Sequence, residues 1–150
     1  MKKFLLLSVM VLGTLLSAIG ATTKVTRNLW TGEVVMGNWS GYVVLNAEQA
    51  SAIEPGCKVL VTVKDVDSSA GTPQVYLQKS DWTDFSPAVK SIVRNAGTES
   101  FDITEELYAD INGKGLVVKG CYATLTKIAV QKEVEPVSYT HLRAHETLMN

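Results

Sequence analysis

The segment KVLVTVKDV, residues 58–66, alternates between apolar and polar side chains and decides the fold class of this chain. Val59, Val61 and Val63 share one face of an extended segment, whereas Lys64 and its polar neighbours lie on the other face. Alternation with a period of two residues is typical of a β-strand with one buried and one solvated face. We therefore expect this segment to lie in an antiparallel sheet that covers an apolar core.

Further short segments rich in β-branched and aromatic residues follow on both sides and are separated by turn residues such as Gly37 and Asn38. The predicted strands cover residues 29–36, 41–45, 58–66, 74–78, 99–103, 116–119 and 122–130. Short strands and turns at this spacing predict an all-β fold, an antiparallel β-sandwich or jelly roll.

One or two short helical turns are expected between the strands. Asn46 can cap a turn over residues 47–52, with Gln49 three residues on as the returning partner. Thr104 can cap a second turn over residues 105–111, which Asn112 and Gly113 would end. Both turns are expected to connect strands across an end of the sandwich.

The first 21 residues have the pattern of a secretory signal peptide. Lys2 and Lys3 precede an apolar run over residues 4–19, and small residues follow it. A transmembrane anchor is the alternative, but the run is short for a span and no basic residue follows it directly. We expect an exported protein that is secreted, periplasmic or at the cell surface, with no membrane span after removal of the signal.

The segment PVSYTHLRAHETLMN, residues 136–150, lacks strand or helix periodicity and is expected to be unstructured. It resembles translated sequencing-adapter DNA, and a polar disordered tail is the alternative. Both histidines of the chain, His141 and His145, lie in it. Residues 22–135 are therefore expected to form one β-sandwich binding module.

The charge balance excludes a broad basic surface. The whole chain has 14 basic and 15 acidic residues and a formal charge of −1. Leaving out Lys2, Lys3 and Arg143 gives 11 basic residues, and leaving out Glu146 gives 14 acidic ones, so residues 22–135 carry −3. Nucleic acid is not expected as a partner.

The module has no histidine, which excludes Ser-His-Asp and Cys-His arrangements and histidine-based metal sites. Two carboxylate pairs remain as candidates for a glycosidase. Glu105 and Glu106 would lie at the positive end of a helix dipole, and Asp65 and Asp67 would end a strand in a turn or a structural calcium site. We therefore predict no enzymatic activity, no catalytic residues and no cofactor.

Cys57 and Cys121 each follow a glycine at the edge of a predicted strand. In an exported protein, two cysteines most simply form a disulfide, and we predict that bridge. Two buried thiols are the alternative.

Aromatic residues combined with amides and carboxylates form two clusters that suit a sugar ligand. Aromatic rings stack on the C–H faces of sugars, and polar side chains bind the hydroxyl groups. The candidate ligand-binding residues are Trp39, Tyr42, Tyr76, Gln78, Asp81 and Trp82. Packing in the core is the alternative for Trp39 and Trp82, and Trp30 is expected to be a core residue.

The order of several short motifs resembles small secreted jelly-roll modules of Bacteroidetes polysaccharide-use proteins, which are similar to carbohydrate-binding modules. The resemblance covers nearly all of residues 28–131 and consists of Leu29-Trp30, the turn Gly37-Asn38-Trp39, Gly56 before the long strand, and Thr126-Lys127-Ile128. It implies a polysaccharide or oligosaccharide partner and association with a glycoside hydrolase. The chain would then be a free-standing binder or a fragment of a longer protein.

The sequence thus predicts an exported, non-catalytic carbohydrate-binding module that recognises a polysaccharide through surface aromatics. A structural or adhesive β-sandwich that binds another protein, with no sugar ligand, is the alternative. A small glycosidase that uses paired acids is the third hypothesis.

Overall fold

In a computed structural model of the protein, residues 22–136 are described. The chain divides into two units, Thr26–Lys132 and a second one to which the residues on either side of it are assigned. Of the second unit the described residues are 22–25 and 133–136, of which 23–25 and 133–134 are strand ends. The predicted signal peptide, and the predicted tail beyond Pro136, lie outside the described residues.

Within the described residues, eight strands form two four-stranded sheets. The strands are β1 (Thr23–Val35), β2 (Asn38–Leu45), β3 (Lys58–Lys64), β4 (Gln74–Lys79), β5 (Asp84–Ile92), β6 (Gly97–Asp102), β7 (Leu116–Cys121) and β8 (Thr124–Val134). The helical elements are a 3-10 helix (Gln49–Ala52) and one α-helix, α1 (Glu105–Ile111).

Sheet A has the strand order β1-β8-β3-β6, and sheet B has the order β2-β7-β4-β5. Every connection except β4–β5 passes from one sheet to the other. The pairs β2–β7, β3–β6, β3–β8, β4–β5 and β4–β7 are all antiparallel. The predicted all-β antiparallel sandwich with short helical turns is confirmed.

The alternating segment that decided the fold class forms β3, one of the two inner strands of sheet A. Val59, Val61 and Val63 are buried in the core, as predicted, and Lys64 faces solvent on the other side. The strand ends at Lys64, two residues earlier than predicted, because Asp65 adopts a left-handed backbone conformation with φ of 51°.

The hydrogen bonds expected of both predicted caps are present, although the 3-10 helix begins at Gln49, two residues later than predicted, and its N-cap residue is Glu48. The Thr104 hydroxyl accepts a hydrogen bond from the Leu107 N–H at 3.2 Å at the start of α1. The Asn46 carboxamide oxygen accepts from the Gln49 N–H at 2.8 Å, and the Gln49 side-chain oxygen accepts from the Asn46 N–H at 3.0 Å. No helix among residues 22–136 is long and apolar enough to cross a membrane.

One strand, β5, was not predicted. Pro87 lies within it and breaks the β-pattern of the sequence, because proline cannot donate to a strand ladder. The structure places β5 at the edge of sheet B, where a missing N–H is tolerated. The register shifts there, since Leu77 pairs with Val89 while Gln78 pairs with Asp84.

The predicted disulfide is wrong. Cys57 and Cys121 are both free and buried. Cys57 precedes β3 at Lys58, whereas Cys121 lies three residues before Thr124, which pairs with Lys64 at the far end of β3. Six strand residues separate those ends by about 20 Å, whereas a disulfide needs Cα atoms within about 7 Å.

Candidate functional site

The outer face of sheet B carries a row of alternating aromatic and cationic residues. Tyr42 on β2 pairs with Lys119 on β7, which pairs with Tyr76 on β4, which pairs with Lys90 on β5. All four side chains point away from the core, because their strand neighbours point into it. This row is the base of the candidate site.

Trp39 joins this row from a bulge in β2. The register shifts between Asn38 and Tyr42, so that residues 39–41 form an extra loop in the strand. Trp39 has a left-handed φ of 67°, which is rare for a bulky residue. Its ring packs edge-to-face against Tyr76 with ring centroids 5.2 Å apart, and it is 39% exposed. The bulge therefore holds an exposed indole on the outer face.

Trp82 reaches the same face from the β4–β5 hairpin. The Lys79 N–H donates to the Thr83 carbonyl, and the Trp82 N–H donates to the Lys79 carbonyl, both at 3.0 Å. Trp82 has φ of 68°, the position of a three-residue hairpin loop where glycine is usual. The turn therefore has tryptophan at a position whose backbone conformation favours glycine.

Asp81 holds this hairpin in shape. Its carboxylate accepts hydrogen bonds from the Thr83 N–H at 3.1 Å and the Thr83 hydroxyl at 2.6 Å. These bonds to Thr83 lower the pKa of the Asp81 carboxyl. The residue that the sequence suggested as a ligand contact therefore has partners within its own loop.

Trp82 packs against Tyr42 across the sheet. The two ring centroids are 4.6 Å apart and the rings are nearly perpendicular, at 89°. Trp82 is 46% exposed and Tyr42 is 49% exposed. The two aromatic clusters of the sequence therefore meet on one surface, which we call the aromatic face: Trp39, Tyr42, Tyr76 and Trp82.

Gln78 lies on the same side of the sheet but is only 6% exposed. It occupies the row next to the aromatic one, in which Val44, Val117, Gln78 and Asp84 are neighbours. Its side-chain N–H donates to the Asp84 carboxylate at 2.7 Å, whereas its carbonyl oxygen is buried without a hydrogen-bond partner among the described residues. Gln78 is therefore a buried neighbour of the aromatic row.

Two lysines approach the rings. The Lys119 ammonium lies 5.6 Å from the centroid of Trp39, and the Lys90 ammonium lies 5.5 Å from the centroid of Tyr76. These are cation–π distances. Sequence reasoning missed both lysines, since their place beside the aromatics follows from strand register and not from proximity in the chain.

The structure thus brings together Trp39, Tyr42, Tyr76 and Trp82 at the surface, with Gln78 and Asp81 as the polar residues beneath or beside them. Trp30 is half-buried and packs against the core, in line with its predicted role.

The acidic pairs have local roles. The Asp67 carboxylate accepts hydrogen bonds from the Ser69 N–H at 3.0 Å and from its hydroxyl at 2.5 Å, which lower the pKa of Asp67. Glu105 and Glu106 lie in the first turn of α1, where the helix dipole favours acids. Within residues 22–136, no group of His, Cys, Asp and Glu side chains is arranged to hold a metal ion.

Comparison with known proteins gives a distant structural likeness. No protein-family model matches the chain, and no curated protein sequence matches it. Among solved structures, the chain is similar to SGBP-B of the Bacteroides ovatus mixed-linkage glucan utilization locus, determined in complex with a mixed-linkage heptasaccharide. The TM-score is 0.56 at 16% identity, and the match covers 70% of this chain but 29% of that one. At this identity the likeness shows a shared fold.

Proposed function

We propose that the protein is a non-catalytic carbohydrate-binding module and that a polysaccharide or oligosaccharide binds on its aromatic face. The observation that carries the proposal is the presentation of two tryptophans, Trp39 and Trp82, at left-handed positions of sheet B. A left-handed φ costs an ordinary residue about 1–2 kcal/mol. Strained residues of this kind cluster at functional sites, where the surrounding structure holds them in place.

The chemistry of the aromatic face suits a sugar. Its four rings lie together and three of them are more than a third exposed, so they form an apolar patch in contact with water. An indole or phenol ring can cover the C–H face of a pyranose and remove both surfaces from water. Contact in this proposal is made first by the rings of Trp39, Tyr42, Tyr76 and Trp82.

Gln78 and Asp81 take part in the proposed site by positioning neighbouring residues. Asp81 fixes the hairpin that presents Trp82, through its bonds to Thr83. Gln78 fixes Asp84 and has a carbonyl oxygen with free acceptor capacity. Because the Gln78 oxygen is buried, Gln78 takes part in the proposed site by positioning Asp84 and not by direct contact with a sugar, as Asp81 does by positioning the hairpin.

The distant likeness to SGBP-B supports a carbohydrate ligand, because that protein was determined with a heptasaccharide bound. We infer from the same likeness that the sandwich is a jelly roll and that the protein works outside the cell or at its surface. Association with a glycoside hydrolase belongs to the same proposal. This chain spans less than a third of the length of SGBP-B, so the roles of the remaining parts are not carried over.

The exposure of the tryptophans weighs against the protein-binding alternative. A structural or adhesive sandwich without a sugar ligand predicts buried tryptophans, whereas Trp39 and Trp82 are 39% and 46% exposed. Iodide should therefore quench most of the tryptophan fluorescence of the native protein. Weak quenching would indicate that both tryptophan rings are packed in the core.

The decisive experiment is direct binding of the purified protein to an array of plant and host glycans. We expect a selective signal that is lost in Trp39→Gly and Trp82→Gly, both of which suit the left-handed backbone. Leu60→Ala, on the outer face of sheet A, is the control and should bind normally. A blank array from folded protein, or full binding by both tryptophan variants, would contradict the proposed site.

A further inference from the structure

We propose that the polysaccharide recognised by the aromatic face is anionic, and that its carboxylate or sulfate groups bind to Lys119 and Lys90. This inference rests on the proposed carbohydrate-binding function and goes further by naming the class of glycan. The class is set by two cations that the fold places among the rings.

Strand register and the ring contacts place Lys119 within the row of rings that a stacked sugar would cover, and Lys90 at its end. Lys119 lies directly between Tyr42 and Tyr76, one strand from each, and adjacent strands are about 5 Å apart. Lys90 lies one strand beyond Tyr76. A chain of sugars that spans Tyr42 and Tyr76 therefore passes over Lys119, and one that continues by one more strand reaches Lys90.

Within the described residues, neither lysine has an acidic partner. Their contacts there are with the rings of Trp39 and Tyr76. Elsewhere in the described part, four lysines pair with acids, namely Lys58 with Asp102, Lys64 with Glu33, Lys79 with Asp110 and Lys132 with Glu54.

The acids of the site are already engaged. The Asp84 carboxylate accepts a hydrogen bond from Gln78, and the Asp81 carboxylate accepts two from Thr83. None of the salt bridges among the described residues joins either acid to Lys119 or Lys90. The positive charge of these two lysines is therefore left for a ligand.

Electrostatics decides between a neutral and an anionic sugar. A neutral glycan that covers Lys119 removes water from an ammonium group and replaces it only with hydroxyl contacts. A carboxylate or sulfate replaces that water with a charge-assisted hydrogen bond, which is about twice as strong as a neutral one. The aromatic face therefore favours an anionic sugar.

The charge of the rest of the module separates this site from general polyanion binding. Residues 22–135 carry a formal charge of −3 and repel a polyanion at long range. Affinity for an anionic glycan must then come from the local cations of the face. It should fall as salt screens them.

The test compares glycans that share a backbone and differ in charge. Polygalacturonate is compared with its methyl ester, dextran sulfate with dextran, and neutral mixed-linkage glucan is a further arm. We expect the charged member of one pair to bind at least tenfold more tightly than its neutral counterpart. The pair that shows the difference identifies carboxylate or sulfate as the recognised group.

The variants are Lys119→Gln and Lys90→Gln, each of which removes the charge and keeps most of the side chain. Each should weaken binding of the anionic glycan about tenfold and flatten its salt dependence. Lys119→Arg should retain affinity. Lys127→Gln is the matched control for Lys119→Gln, because Lys127, like Lys119, is partly buried on a strand but lies on the outer face of sheet A.

Three other outcomes overturn the inference, and they differ in what they say of the proposed function. Tighter binding to neutral glucan, lost in Trp39→Gly, would refute the anionic ligand and retain the carbohydrate-binding module. Equal losses in Lys119→Gln and Lys127→Gln would show diffuse electrostatics. Absence of binding to every glycan by folded protein would refute both proposals.

Discussion

Replacing Trp82 by glycine and by alanine tests whether the left-handed backbone that presents its ring exists in solution. At most positions of a strand, glycine is less stable than alanine by about 0.5–1 kcal/mol, because it loses more backbone entropy on folding. At φ of 68° the order should reverse. Alanine keeps a Cβ in a conformation that costs about 1–2 kcal/mol, and glycine does not.

Both substitutions also remove the larger stabilisation that the Trp82 ring provides. A half-exposed tryptophan buries roughly 100 Å², which corresponds to about 2.5 kcal/mol. The edge-to-face pair with Tyr42, at 4.6 Å, contributes about 1 kcal/mol more. Trp82→Ala should therefore lower the free energy of unfolding by about 3–4 kcal/mol, and Trp82→Gly by about 0.5–1 kcal/mol less than that.

The assay is urea unfolding followed by circular dichroism, which does not depend on tryptophan emission. Tyr76 provides the control, because it is a neighbouring ring on a regular strand and has no positive φ. Tyr76→Ala should be more stable than Tyr76→Gly, the opposite order. If Trp82→Ala is more stable than Trp82→Gly by the same margin as at Tyr76, the backbone at Trp82 is relaxed and the strain argument fails.

Three further predictions concern other parts of the described structure. Gly41→Ala should destabilise the protein by about 3 kcal/mol in urea unfolding, since an added Cβ would lie 2.1 Å from the Val35 carbonyl oxygen; an unchanged midpoint would contradict the close approach. Cys57 and Cys121 should react slowly with iodoacetamide in the native protein, because burial raises both pKa values, and should give two alkylated thiols after unfolding without reductant; a mass that shows a bridge would refute this. The pKa of the Asp81 carboxyl is lower in the folded protein than in the unfolded one, so its stabilisation of the hairpin is present above about pH 4 and is lost as the pH falls through the folded pKa. We expect the tryptophan emission of the native protein to change in this acid range, because the hairpin presents Trp82. Asp81→Ala should remove this change, and an unchanged pH profile of emission in the variant would contradict the prediction.

The sequence predicted the fold class because local patterns and global structure agree in most of the chain. Val59, Val61 and Val63 alternate with outward-facing residues, and the cap of α1 depends on the Thr104 side chain alone. β5 was not predicted because a strand tolerates proline mainly at the edge of a sheet. The edge position of β5 is defined by the strand order of sheet B, which a single sequence does not give. The disulfide was predicted from the presence of two cysteines in an exported protein, which says nothing of which end of the sandwich each cysteine occupies.

The candidate site was also predicted only in part. Alternation along β4 predicted that Tyr76 faces away from the core, and this follows from a period of two alone. The pairing of β7 with β2 and β4 brings Trp82 into contact with Tyr42. The same pairing places Lys119 between the two tyrosines. Strand register over long sequence separations cannot be read from one sequence, so the cationic part of the site was not predicted.

The two tryptophans lie where the ladder of sheet B is irregular, and this has a consequence for binding. A bulge in β2 presents Trp39 and a tight hairpin presents Trp82, while each ring is fixed by a perpendicular tyrosine. Rings that are already ordered lose little conformational entropy when a sugar binds. A site built this way should bind with a small entropic cost, and Trp39→Gly should weaken affinity through lost contact with the sugar and not through a disordered loop. Unchanged backbone amide exchange in the β2 bulge of Trp39→Gly would support that reading, whereas fast exchange there would show that the ring itself orders the bulge.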